Sequence, residues 1–320
     1  MNRHSFALAA AALALAGAVQ AQSFPDKPIT FVVPFAAGTA TDQIARALGN
    51  GVTTETKQSV VIDNKAGASG FIASQFVAKA PADGYTVLIT TNTTHAANEH
   101  LYKKLPYDPV KDFAPITGLG KGGQIMVVAP NFPAKSVAEF VALAKKEPGK
   151  YSFGSGSSSS RMAGELLQQM ADIKLLHVPY KSNTLAVTDL LGGQINMMIT
   201  DTATGLPQVK AGKLRALGMS SAARSPLAPD VPTISEAGVK GYEMGYWFAA
   251  YAPAKTPPAV VKRLNELLVK AAKSEAAKSA FYEPTGTEVF TTTPDEMAKF
   301  QTAESQKWGR IVKAAGIEAE

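Results

Sequence analysis

The residues best suited to chemistry cluster at three strand-to-helix junctions, and the first is the most complete. Phe31–Leu48, read with Ile29, begins as a β-branched and aromatic run, passes through a Pro34–Gly38 turn and becomes a pattern with Ile44, Leu48 and Val52 on one helical face. Thr39 followed three residues on by Asp42 predicts a capping box, with the helix starting at Ala40. The first helical amides then point at the loop carrying Phe35 and Gly38, where unpaired N–H groups and the positive end of the helix dipole suit a carboxylate. Many such junctions in α/β proteins bind nothing, so the motif gains weight only from its companions. The second junction is the polar cluster Thr91, Asn92, Thr93, Thr94 and His95, directly after the strand-like run Tyr85–Thr90. The third is Ser155-Gly156-Ser157-Ser158-Ser159-Ser160 before Arg161, which supplies neutral hydroxyl donors beside a helix start. Ligands collect at the carboxyl ends of strands in alternating α/β units, and both later clusters fall there.

Other chemistries lack their residues. Cysteine is absent, so disulfides and thiolate metal sites are excluded. The histidines beyond the leader, His95, His100 and His177, are not paired with acidic residues at ligand spacing, so no metal is expected. No G-x-S-x-G elbow occurs, which weakens a serine hydrolase and leaves no catalytic residue to name. Gly118-Leu119-Gly120-Lys121-Gly122-Gly123 matches G-x-G-x-x-G literally, but a strand follows where the dinucleotide fingerprint needs a helix. No cofactor is expected, and binding is a more economical reading than catalysis. The formal charge of +6 is carried by scattered Lys and Arg, so nucleic acid is not a predicted partner while small acidic ligands are.

The elements that must position these junctions alternate strand and helix through 320 residues, enough for two domains. Residues 1–21 differ in kind: Arg3, the apolar run Phe6–Val19 and Val19-Gln20-Ala21 form the n-region, h-region and cleavage site of a secretory signal peptide. Nothing after Ala21 is long and apolar enough for a transmembrane helix, so a soluble exported protein is expected. Leu105–Pro115, with three prolines, is expected to be irregular, and the glycine-rich segment after it to cross between domains. A second α/β set follows, and Tyr242–Tyr251 reads as the return crossing. The expected organisation is residues 22–120 with 250–320 as one domain and 121–249 as the other, facing each other across a cleft.

Taken together, KPITFVVPFAAGTATDQIAR, VIDNKAGASG, PADGYTVLITTNTTHAAN, LPYDPVKDFAPIT, AGELL, HVPYK, DLLGGQINMM, AGKLRALG and VPTISEAG, in this order from Pro28 onward, resemble the periplasmic substrate-binding proteins of tripartite tricarboxylate transporters, the Bug family. The resemblance implies a two-lobed periplasmic binding protein fold of type II, a cleft between two α/β domains. It implies a non-enzymatic binding protein in the periplasm that holds an organic carboxylate and presents it to membrane permease subunits, and a monomer is expected. It places Phe35, Ala37, Thr39, Ala40 and Asp42 in the first ligand loop, Thr91–His95 beside it, and Ser155–Ser159, Lys181, Asp201 and Thr202 opposite. The chain departs from the family at Thr39, where a second glycine is common, at Arg161, where histidine is common, and at Ser182, where glycine is common. A sensory partner of a membrane receptor and an envelope hydrolase are the alternatives. Arg161 is a cation suited to a second carboxylate, and Phe35, Tyr246 and Trp247 could flank a flat ring. An aromatic dicarboxylate such as terephthalate is therefore expected ahead of aliphatic di- or tricarboxylates.

Overall fold

A computed structural model of the chain describes residues 24–314 and 316–319. The signal-peptide reading of residues 1–21 lies outside the described residues. The first half is built on β1 (Ile29–Val33), whose sequence ITFVV is wholly β-branched or aromatic, as suits a strand covered on both faces. Parallel to it run β2 (Val60–Asn64) and β3 (Thr86–Thr91). Helix α1 (Ala40–Thr56) turns Ile44, Leu48 and Val52 inward, and α2 (Phe71–Ala78) returns the chain to β3.

The two halves are joined by long antiparallel strands rather than by a flexible linker. β4 (Phe113–Val128) runs through both of them. Phe113 to Gly123 pair with β9 (Gly245–Pro253), which also pairs with β3. From Gln124 onward β4 pairs instead with β7 (Met197–Asp201) and β8 (Arg215–Met219). The sheet then continues in parallel through β5 (Ser152–Ser155) to β6 (Leu176–Pro179). A short β10 (Glu288–Val289) pairs with β4 at Gly120 and Lys121.

Helices α3 (Val137–Lys146), α4 (Ser158–Ala171), α5 (Asn183–Leu191) and α6 (Thr202–Lys210) dress the second half. α7 (Pro258–Ala272) and α8 (Pro294–Ala314) return to the first. One apolar cluster links residues of both halves, Val32 and Leu88 with Phe153 and Leu167 among them, and all four side chains are fully buried. Each such side chain contributes roughly 1.5–3 kcal/mol relative to exposure. Among the described residues no helix is long and apolar enough to cross a membrane.

Two sequence expectations need revision. Phe113–Pro115 is strand rather than irregular chain, because the register slips between Pro115 and Thr117 and the proline sits at that irregularity. The strand expected at Ile125–Ala129 is the far end of β4, not a separate element. The glycines between them let other segments lie close: a Cβ on Gly118 would come within 2.6 Å of the Phe290 ring.

Candidate ligand-binding site

The carboxyl ends of β1, β3 and β7 and the loop after β5 converge on a cleft with about 420 Å³ of empty space. The first half supplies Phe35, Thr39, Ala40 and Thr41 from the β1–α1 junction, with Thr91 and Asn92 from the end of β3. The second half supplies Gly156, Ser157 and Ser159 after β5, Asn183 from the start of α5 and Asp201 from the end of β7. Gln124, Tyr246 and Phe248 of the crossing strands complete the wall. A larger space of about 830 Å³ adjoins it, sharing Phe35, Gly156 and Ser157 and lined further on by Ser155, Ser158, Arg161, His177 and Lys181.

The β1–α1 junction has the expected position and a different wiring. Thr39 is the N-cap with extended backbone and α1 begins at Ala40, yet no side chain caps the helix. The Thr39 hydroxyl instead donates backward to the Ala36 carbonyl at 2.7 Å. Asp42 is buried and accepts from the Gly38 amide and Arg46 Nε, each at 2.9 Å, and from Asn64 Nδ2 at 3.0 Å. Burial alone would raise its pKa, but the hydrogen bonds from Arg46, Gly38 and Asn64 and the Arg46 charge hold it below the usual carboxylate value. Asp42 thus braces the loop while the first amides of α1 stay open toward the cleft.

In the second half the helix starts are closed by their own side chains. Ser157 and Ser160 form a reciprocal capping box on α4. Ser182 Oγ accepts from the Leu185 amide at 3.4 Å on α5, and Asp201 Oδ1 accepts from the Thr204 amide at 2.8 Å on α6. Asp201 Oδ2 accepts from Asn183 Nδ2 at 3.0 Å. Arg161 Nε lies 3.9 Å from Glu165 Oε1. Burial pushes the Glu165 carboxyl up, and the Arg161 charge and a Gln168 hydrogen bond offset this only in part.

Of the residues singled out from the sequence, the structure brings Phe35, Thr39, Ala40, Thr91, Asn92, Gly156, Ser157, Ser159, Asp201 and Tyr246 to the cleft. It places Ser155, Ser158, Arg161 and Lys181 on the adjoining space. Others lie elsewhere. Ala37 and Gly38 are exposed on the loop, and Asp42 is spent on the brace just described. Thr93 and His95 belong to a wide helical turn, Thr93–Ala97, that is wholly buried. The His95 ring stacks on Tyr251 at 3.9 Å, its Nδ1 bonds Thr94 Oγ1 at 2.8 Å, and burial lowers its pKa to about 3. Thr202 is buried with its hydroxyl 3.0 Å from the Tyr246 hydroxyl, and it lines a separate space with Tyr282 and Thr287 rather than the cleft.

Trp247 faces the opposite side of β9 from Tyr246 and Phe248, because side chains alternate along a strand. It packs edge-on to Phe300 at 5.6 Å and donates Nε1–H to Glu304 at 3.2 Å. Thr41, Gln124, Asn183 and Phe248 were not anticipated. Phe248 was available from the same alternation once Tyr246 was read as facing the cleft. Gln124 and Asn183 carried no local signal.

Two α/β halves closing on a polar cleft at strand ends define a solute-binding protein. The family model described as tripartite tricarboxylate transporter family receptor matches residues 44–317, and the chain belongs to that family. It is similar to the Rhodopseudomonas palustris protein Rpa4515, solved with adipate, at 35% identity and a TM-score of 0.89 over 93% of this chain and 100% of that one. The periplasmic binding protein BugD is 32% identical, with a TM-score of 0.88 over 93% of this chain and 100% of its own. MatC (Rpa3494) of Rhodopseudomonas palustris, with bound malate, is 29% identical, with a TM-score of 0.85 over 90% and 100%. Members of this family are periplasmic substrate-binding proteins, and the chain is a binding protein and not an enzyme.

Proposed function

We propose that this receptor captures a dicarboxylate in the periplasm and hands it to the membrane subunits of a tripartite transporter. The observation that carries the reading is the uncapped start of α1 at one wall of the cleft, with Arg161 and Lys181 on the space that opens past Phe35 and Ser157. One carboxylate is met by neutral amides, and the other lies within the field of two cations. The membership and the adipate and malate bound by relatives support the same class. Within it, the aromatic candidate is terephthalate, supported by the Phe35, Tyr246 and Phe248 rings along the cleft. The second reading is an aliphatic diacid, which the two relatives favour.

The proposal extends to the form of the protein. Residues 1–21 are removed on export, and the mature chain acts as a monomer. The lobes divide where β4 leaves β9 for β7 and β8, and ligand draws them together about that crossing. Calorimetry with terephthalate, adipate and benzoate, on wild type and Arg161→Ala, tests the reading. Both diacids are expected to exceed benzoate, and the substitution is expected to cost about 2 kcal/mol of diacid binding. Benzoate binding as tightly as the diacids, or an unchanged diacid affinity in the variant, would remove the dicarboxylate.

A further inference from the structure

The cleft is not uniformly a donor surface. Its floor carries acceptors, and a carboxylate is the wrong group to meet them. Asn92 and Gln124 both line the cleft and are almost wholly buried, and among the described residues their side-chain oxygens have no hydrogen-bond partner. Asn92 is fixed in this sense, since its Nδ2 donates to the Gly245 carbonyl at 3.2 Å and leaves Oδ1 unpaired at the cleft wall. Gln124 stands opposite Asp201 in the β4–β7 ladder, and Asp201 lines the same cleft. The Asp201 carboxylate takes bonds from Thr204, Asn183 and Thr200, and its two oxygens have room for a further donor. A buried acceptor left unpaired is expensive, and a site built around one discriminates against ligands unable to donate.

We infer that this receptor selects a carboxylate bearing a hydrogen-bond donor, a hydroxyl or an ammonium, which Asn92 and Gln124 accept beside the Asp201 charge. The inference rests on the carboxylate-binding reading above and, within it, favours hydroxy- or amino-substituted acids over terephthalate and adipate, which carry no donor. The carboxylate sits at the open start of α1, and the donor on the neighbouring carbon points to the floor. Asp201 adds attraction for an ammonium beyond what a hydroxyl gains. Asn92, Gln124 and Asp201 thus act as specificity residues, distinct from the amides that take the anion.

Calorimetry on matched probes tests this: succinate with L-malate and L-aspartate, glutarate with α-hydroxyglutarate and L-glutamate, and adipate with α-aminoadipate. In at least one set the donor-bearing member is expected to bind about tenfold or more tightly than its parent. The hydroxyl and ammonium arms show which donor is read. In Gln124→Met that ratio is expected to fall toward one. Parents that bind as well as their substituted partners would overturn the inference while leaving the dicarboxylate reading intact, and that comparison needs only wild type. A ratio that survives in Gln124→Met and in Asn92→Leu overturns it too. Terephthalate binding more tightly than every donor-bearing probe would sustain the aromatic reading and overturn this one. Absence of binding by all the probes, terephthalate and benzoate would remove the carboxylate reading and this inference with it.

Discussion

The two halves meet the cleft with the same element, a helix start after a strand, and treat it in opposite ways. In the first half the Thr39 side chain turns away to Ala36 and the first amides of α1 have no side-chain cap. In the second, Ser157, Ser182 and Asp201 each close their own helix. A cap takes up one or two of the four free amides of a helix start and a bare start keeps them all, which is why the proposed anion site is in the first half. What the second half offers is side-chain chemistry: the Asp201 carboxylate in the cleft and the Arg161 and Lys181 cations on the adjoining space. On the proposed reading, the first half supplies the amides for the anion, and the discriminating side chains come from both halves, Asn92 from the first and Asp201 from the second.

The largest expected effect is at the tightest point of the second half. A Cβ on Gly156 would lie 1.8 Å from the Ser182 carbonyl carbon and 2.0 Å from the Asn183 nitrogen, both backbone atoms with no rotamer to retreat into. Gly156→Ala should therefore separate the α4 and α5 starts. A loss of about 3 kcal/mol or more in urea unfolding is expected, together with the ligand-induced thermal shift. Wild-type stability in this variant would mean that the two capped starts are not locked together.

Next comes a contrast between histidines. His177 of the second half lines the adjoining space with its Nε2 2.7 Å from Ser155 Oγ, whereas His95 of the first half is sealed in the core. The folded-state pKa of His95, near 3, lies below the unfolded value of about 6.5. Between these values the unfolded chain binds the extra proton, so this contribution is complete above pH 6.5 and is lost as pH falls toward 3. At pH 5 the loss is about 2 kcal/mol. Urea titrations at pH 7 and pH 5 on wild type and His95→Gln check it, and the variant should lose most of the difference. An equal pH dependence in both proteins would place the titrating group elsewhere.

Those two sites also mark where the sequence was and was not legible. The β1–α1 junction could be read because each signal is local: a β-branched run, a turn, then an amphipathic period. Thr39 and Asp42 gave the start of the helix correctly and its wiring wrongly, since a side chain's partner is chosen by the folded loop. Polarity placed His95 and Thr93 with Asn92, but only three-dimensional packing decides that Asn92 faces the cleft while its neighbours sink into the core. Trp247 was assigned to the ligand wall on its aromatic character, against the alternation that sends it to the other face of β9. Gln124 and Asn183 reach the cleft through sheet register and the close approach at Gly156, relations between segments far apart in the chain.

The smallest change in stability carries the sharpest test of the comparison. If the first half binds the anion because its helix is uncapped, giving that helix its own carboxylate should satisfy it from within. Thr39 has the extended backbone of an N-cap, φ −73° and ψ 161°, from which an Asp side chain can reach the amides of the first turn. Thr39→Asp forfeits the bond to Ala36 and gains a charged cap at the positive end of the helix dipole. A net stabilisation of about 0.5 kcal/mol is expected by urea unfolding. Carboxylate affinity should move in the opposite direction and by far more, since the new carboxylate occupies the amides and repels the incoming one. A hundredfold loss corresponds to about 2.7 kcal/mol. Stability and affinity rising together would mean that the ligand's carboxylate is held elsewhere, and unchanged affinity would mean that the open amides of α1 are not its site.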